Sequence, residues 1–303
     1  MPGTTCRATR DTALTKEKMH SRELGLVLTQ QILGVEDLHY GLWDADLELK
    51  LGNLDTAQQR YTDFLIGALP PPQPGPVRVL DIGCGTGHVL GQMLERGYLA
   101  DGLVPSASLA KLVRKHQEQH PGKQSRLFEC RFEDFPVDEN AHQYDVALFS
   151  ESFQYISMDA SFALLQKILK PGGHLVICDF FKTAHHGDGG PGDGSFGGGH
   201  PMAEFYRKIK TTPFELIRDE DITARVSPNL QLVNDLLLNT IRPVGLTLDK
   251  YLGDNYPKLT WIAKKLLRKK LDKANYKYFA GNRSKETFER YKTYHLMVCR
   301  LKG

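Results

Sequence analysis

Three glycines at alternate positions, Gly83, Gly85 and Gly87, follow an apolar run that begins at Val77, in the string VRVLDIGCGTG. Val77, Val79, Leu80 and Ile82 suit a strand buried on both faces, and Asp81 stands near its carboxyl end. Glycine tolerates positive φ and lets a ligand lie against bare backbone. The next run, HVLGQMLERG, predicts a helix whose amino end faces that ligand. The G-x-G-x-G spacing differs from the G-x-G-x-x-G of dinucleotide folds and points to another nucleoside ligand. Read as local structure alone, the same residues make a tight strand-to-helix turn. Two further strings hold side chains suited to acid–base or positioning chemistry: SESFQY, with Ser150, Glu151, Gln154 and Tyr155, and HYGLW, with His39, Tyr40 and Trp43.

The apolar strand with Asp81, Gly83, Gly85 and Gly87 resembles the first motif of the class I S-adenosylmethionine-dependent methyltransferases, a hydrophobic strand followed by D/E-x-G-x-G-x-G. LKPGGHLVICDFF is similar to the family's late motif, where a helix ends in K-P-G-G and hands over to the fifth strand. The resemblance implies S-adenosyl-L-methionine as cofactor, packed on the glycine turn, with Cys84 accommodated there by its small size and Asp81 orienting the methionine amino group. It also implies an acid at the end of the second strand for the ribose hydroxyls. This chain has Val104 at that position, and Asp101 comes earlier in the strand. Phe132 and Glu133 fall where the family presents a backbone amide and an acid to the adenine, although Phe132 serves equally as core.

The loop after the fourth strand lines cofactor and acceptor in this family. The resemblance therefore sets Ser150 beside the cofactor, gives Gln154 and Tyr155 either an acceptor or a packing role, and makes Glu151 a base or a turn cap. HYGLW is similar to a string in small-molecule methyltransferases of the tocopherol and sarcosine/dimethylglycine type, whose amino-terminal helical segment folds over the bound cofactor. By that likeness His39, Tyr40 and Trp43 close the site, or Trp43 braces the sheet. The implied reaction is in-line displacement of the activated methyl by an oxygen, nitrogen or carbon of a small organic acceptor, which asks the protein chiefly to exclude water and align the nucleophile. His39, Tyr40 and Glu151 are the candidate bases. Two other readings are a regulatory protein that binds the cofactor without turnover, and a methyltransferase for a macromolecule.

The elements that must position these residues follow from periodicity and turn chemistry. After the helix that stops at Gly97, Tyr98 to Val104 predicts a second strand, and Ser106 caps a helix running to about His120. Arg126 to Cys130 and Tyr144 to Ser150 predict strands three and four, Met158 to Lys170 an amphipathic helix, and His174 to Phe180 the fifth strand. Alternating strands and helices imply an α/β doubly wound, mostly parallel sheet, a Rossmann-like methyltransferase fold of seven strands, with ligands at the strands' carboxyl ends. The boundaries read as a loose tail over 1–25, an amino-terminal helical lid and proline-rich spacer over 26–76, the cofactor-binding core over 77–226, a helical substrate cap over 227–291 and a last core strand over 292–303.

His185 to Met202 is so rich in glycine that it predicts a mobile hinge or lid, and the entropy of ordering it argues against a metal site on its histidines and aspartates. Within the cap, KLTWIAKKLLRKKLDKANYKYF reads as a basic amphipathic helix, either at a membrane surface or against an acidic acceptor, or as the solvated face of a packed helix. A chain of 303 residues with 41% hydrophobic content can bury a full core, and a net charge of +3 gives no ground for a nucleic-acid partner. The five cysteines, Cys6, Cys84, Cys130, Cys178 and Cys299, show no paired spacing and predict reduced thiols. With no secretory signal and no apolar run of spanning length, a cytoplasmic protein without stable membrane insertion is expected. Oligomeric state is left open.

Overall fold

The computed structural model describes residues 39–72 and 74–303. The tail expected over 1–25, the opening of the lid over 26–38, and Cys6 lie outside the described residues. Helix α1 spans Leu54–Ile66 and precedes the sheet. Then follow β1 Arg78–Ile82, α2 His88–Glu95, β2 Leu99–Leu103, α3 Ala107–Glu118, β3 Leu127–Phe128, β4 Tyr144–Ser150, α4 Met158–Ile168 and β5 Leu169–Lys182. The chain continues through α5 Met202–Ile209, β6 Phe214–Asp221, α6 Thr223–Val226, α7 Pro228–Leu236, α8 Arg242–Asn255, α9 Pro257–Ala274 and α10 Lys285–Tyr291, and closes with β7 Lys292–Leu301.

The seven described strands form one sheet in the order β3-β2-β1-β4-β5-β7-β6. The first five run parallel, and β7 lies antiparallel between β5 and β6. This is the Rossmann-like, mostly parallel arrangement that the alternation predicts. Neighbouring residues along the central strands belong to different cores: Val79, Val146, Leu148 and Val176 pack with Tyr61, Leu90, Val113 and Phe288, whereas Leu80, Ala147, Phe149 and Ile177 pack with Phe162, Leu165 and Phe205. Period-two alternation thus sends side chains into two hydrophobic layers, as a sheet covered on both faces requires. The helices sort accordingly, with α1, α2, α3 and α10 on one face and α4 and α5 on the other.

Two elements differ from the sequence expectation. Helix α4 stops at Ile168, and the Lys-Pro-Gly-Gly string belongs to the start of β5 as an irregularity, where pairing with β4 jumps from Leu169 to His174 and Gly172 takes φ +77°. A residue before proline is sterically driven out of the helical region, which ends the helix ahead of Lys170. The glycine-rich segment is packed into the domain: Phe196 is buried against Phe288, and Ser195 Oγ donates to the carbonyls of Gly192 and Asn282 at 2.6 Å each. Asp193 receives the backbone N–H groups of Gly187 and Gly189, while Lys292 Nζ donates to Gly198 O at 2.6 Å. A few anchoring side chains hold a segment whose composition alone predicts motion.

Between β6 and β7 lie α6 to α10. Pro228 and Pro257 sit in the first turns of α7 and α9, where a missing N–H costs no helical hydrogen bond, and Pro243 follows the π-helical stretch Leu237–Ile241 that joins α7 to α8. Neither α8 nor α9 has a buried residue. No described helix is long and apolar enough to cross a membrane.

Candidate active site

The turn after β1 is built from glycines used in two ways. Gly83, Gly85 and Gly87 have φ of +81°, +55° and +88°, the left-handed region that side chains disfavour. A Cβ on Gly83 would stand 2.5 Å from Ser152 Cβ, and one on Gly87 2.9 Å from Val113 Cα, so both serve close packing. At Gly85 no protein atom lies within 4 Å of that position, which leaves bare backbone toward open space. Gly83 N and Cys84 N both donate to Leu103 O, at 2.8 and 3.1 Å, and this fixes the turn to the end of β2.

That turn forms one wall of a cleft of about 240 Å³ at the carboxyl ends of β1 and β4, lined among others by His39, Asp81, Cys84, Gly85, Thr86, Ser150, Glu151 and Tyr155. Neighbouring connections leave the sheet in opposite directions between β1 and β4, the point at which open α/β sheets bind ligands. Ser152 Oγ donates to Ile82 O and ties the two strand ends together. A larger hollow of about 460 Å³ runs along α1, α2 and α3 past His88, His116 and His120, but no strand end reaches it.

Asp81 is 2% exposed at the cleft floor. Burial pushes its carboxyl up to about 7, with nearby His39 opposing the rise. Above it, a chain of hydrogen bonds runs from Ser150 Oγ to Tyr61 OH at 3.2 Å, on to Tyr294 OH at 2.9 Å, and then to Glu151 Oε1 at 2.9 Å. Tyr40 N donates to the same Glu151 oxygen at 2.8 Å. His39 stacks on Tyr61 with ring centroids 4.4 Å apart, and its Nδ1 lies 2.8 Å from Tyr40 O. Burial, reinforced by the Glu151 charge, pushes the Tyr40, Tyr61 and Tyr294 phenols well above their ordinary range, so they stay protonated and act as donors. Glu151 reaches this position through a left-handed backbone, φ +54°.

The structure thus brings His39, Asp81, Gly83, Cys84, Gly85, Ser150, Glu151 and Tyr155 around one space. Gly87 lies just behind, as the residue that caps α2. The Tyr40 ring turns to Phe288 and Tyr294, at 6.3 and 6.1 Å between centroids. Gln154 is held by Asp179, through its N–H at 3.0 Å and its Nε2 at 3.1 Å, and burial pushes the Asp179 carboxyl up to about 8.

Four residues singled out in the sequence are not among those lining this cleft. Trp43 packs with Leu54 and Ala57 in a separate cluster, Val104 is buried in the main core, Phe132 packs on Phe135 and Phe149, and Glu133 pairs with Arg131 on the surface. Asp101 points away from the cleft: it is fully buried and accepts from Arg78 Nη1, Arg126 Nη2 and Tyr144 OH at 3.1, 2.8 and 2.9 Å. Thr86, His88, Val89 and Leu109 also line the cleft without having been singled out. Thr86 sits inside the glycine string and was legible there. Tyr294 carries no local signal, since only pairing of β7 with β5 brings it opposite Phe180 at the site.

Residues 54–213 match the family model described as a methyltransferase domain. The ubiquinone biosynthesis O-methyltransferase of Acinetobacter baylyi is 28% identical over 160 residues, 51% of this chain and 61% of that one. The chain therefore spans about three fifths of that relative's length. Among solved structures, a candidate sarcosine dimethylglycine methyltransferase of Galdieria sulphuraria superposes with a TM-score of 0.65 at 15% identity, covering 91% of this chain and 97% of that one. The geranyl diphosphate C-methyltransferase of Streptomyces coelicolor, in complex with S-adenosyl-L-homocysteine, gives 0.63 at 16%, covering 91% of each.

Proposed function

This chain belongs to the family of methyltransferase domains, and we propose that it transfers the methyl group of S-adenosyl-L-methionine to an oxygen, nitrogen or carbon atom of a small organic acceptor. The observation that carries this reading is the pairing of bare backbone at Gly85 with the buried Asp81 carboxyl on the floor of one cleft. Bare backbone accommodates a nucleoside at close range, and a buried carboxylate suits an ammonium. The donor set therefore fits the cofactor. Asp81 would hold the methionine amino group, the turn from Gly83 to Gly85 would carry the adenosyl part, and Ser150 would line the approach to the methyl. When bound, the cofactor supplies a methyl group on a sulfonium, which already has a good leaving group.

The remaining work falls to this chain's own residues. His39 and Tyr155 lie at the rim of the cleft and limit access of water to it. Glu151, fixed by Tyr294 and by the Tyr40 N–H, offers a carboxylate that can receive a proton from an acceptor hydroxyl or amine. The phenols of Tyr40, Tyr61 and Tyr294 are held above the ordinary range by burial, and the Tyr294 hydroxyl and the Tyr40 N–H orient Glu151. Relatives named for ubiquinone biosynthesis and geranyl diphosphate support an acceptor that is small and partly apolar. On this reading the acceptor is not a nucleic acid, and the reduced thiols suit the cytoplasm.

The test is calorimetry with S-adenosylmethionine and its demethylated product, followed by incubation with label-bearing cofactor and fractionated small-molecule extract. Heat on binding and label in a small molecule are expected. Absence of heat with well-folded protein overturns the reading, and binding without any labelled product replaces it with a non-catalytic cofactor sensor.

A further inference from the structure

Helices α8 and α9 form a hairpin that the sheet does not cover. The two are joined by an ion pair, Lys264 Nζ to Asp249 at 2.7 Å, and neither helix has a buried residue. In α9, Leu259, Ile262 and Leu266 recur at i, i+3 and i+7 and so share one face. Leu259 is 69% exposed, Ile262 47% and Leu266 80%. An apolar stripe packed on its own domain would be sheltered. This one faces outward.

The charge around the stripe decides what covers it. Helix α9 holds seven lysines and arginines against one acid, Asp272, whereas the entire chain nets +3. At helical spacing Lys258, Lys265 and Lys269 flank one side of the leucine stripe and Lys270 the other, so their stems can lie along the apolar surface with the ammonium groups outward. We propose that the α8–α9 hairpin docks on a bilayer surface carrying anionic headgroups, with Leu259, Ile262 and Leu266 at the acyl boundary and the flanking lysines among the phosphates. A second copy of this chain would set the same cationic helix against itself, so charge complementarity disfavours self-association. An anionic lipid surface supplies both the apolar layer and the opposite charge.

The hairpin springs from α7 and α10, which contact the residues that follow His39. Asn229 of α7 bonds both N and O of Gly41, at 3.0 and 2.7 Å, and Phe288 of α10 packs on Tyr40. Docking would hold the domain that carries the cleft at the lipid surface. Lipid-dissolved acceptors would then be at hand.

Sedimentation of the full chain with vesicles tests this without cofactor, so the outcome is independent of methyl transfer. Partition onto phosphatidylcholine mixed with phosphatidylglycerol should exceed that onto phosphatidylcholine alone by at least about tenfold and weaken with salt. Leu259→Glu with Leu266→Glu, and separately Lys265→Glu with Lys269→Glu, alter exposed positions and should each abolish partition with unchanged circular dichroism. Two results would each overturn the proposal: no partition of folded wild-type chain onto anionic vesicles, or partition that survives both double variants.

Discussion

Tyr294 donates its hydroxyl hydrogen to Glu151 at 2.9 Å, joining the last strand to the loop after the fourth. The same hydroxyl meets Tyr61 OH at 2.9 Å, so a helix that precedes the sheet, a central loop and the final strand converge on one carboxylate. Glu151→Gln should lower kcat about 10²-fold if the carboxylate receives the acceptor's proton. Tyr294→Phe removes the hydroxyl that bonds both Glu151 and Tyr61, should cost about 1.5–3 kcal/mol of stability and should slow turnover less. Steady-state kinetics with both variants checks this, and unchanged rates would confine the pair to architecture.

Cofactor affinity should depend on Asp81. With its carboxyl raised to about 7, it is largely neutral below that pH, and an ammonium favours the ionised form. Affinity for S-adenosylhomocysteine should therefore level off above pH 7 and fall below it, approaching tenfold per unit. Calorimetry across this range should show the slope in the wild type and lose it in Asp81→Asn.

Gly83 and Gly85 should separate stability from binding. Gly83→Ala adds an atom 2.5 Å from Ser152 Cβ on top of an unfavourable φ, so thermal melting should drop clearly. Gly85→Ala meets no protein atom and should cost only about 1 kcal/mol of backbone strain, yet weaken cofactor binding strongly. Equal cofactor affinity in Gly85→Ala and wild type would remove the cradle role.

Asp101 should matter for folding alone. Replacing it with alanine strips a fully buried acid from Arg78, Arg126 and Tyr144 and should cost about 3–5 kcal/mol in urea unfolding. The folded fraction should bind cofactor with wild-type affinity, because the side chain faces away from the cleft.

Phe196 anchors the glycine-rich segment. Phe196→Ala should cost about 3 kcal/mol and speed amide exchange across 187–199, as the ring contact with Phe288 is lost.

What the sequence made legible was local. The apolar run from Val77 to Ile82 and the glycine spacing located the parallel core and its turn, because a buried strand and positive φ are properties of a few neighbouring residues. Ser106 was readable as a cap for the same reason, and its Oγ accepts from Leu109 N at 3.4 Å. Contacts across the sheet were not readable. Tyr61 falls within the expected amino-terminal lid and Tyr294 within the expected last strand, and their meeting depends on β7 entering between β5 and β6. Composition likewise misled at the glycine-rich segment, where Ser195, Phe196 and Lys292 outweigh the surrounding glycines.

β6 and β7 are hydrogen-bonded neighbours, yet the path from Asp221 to Lys292 runs through α6 to α10 when a tight reversal would do. Closing a long flexible excursion costs little more than closing a short one, roughly 0.6 kcal/mol for each doubling. The outermost part of this detour contributes nothing to the interior, so folding places almost no demand on its side chains. Drift in that stretch would answer to whatever it touches, and its sequence could diverge or shorten in descendants while the sheet beneath stayed intact.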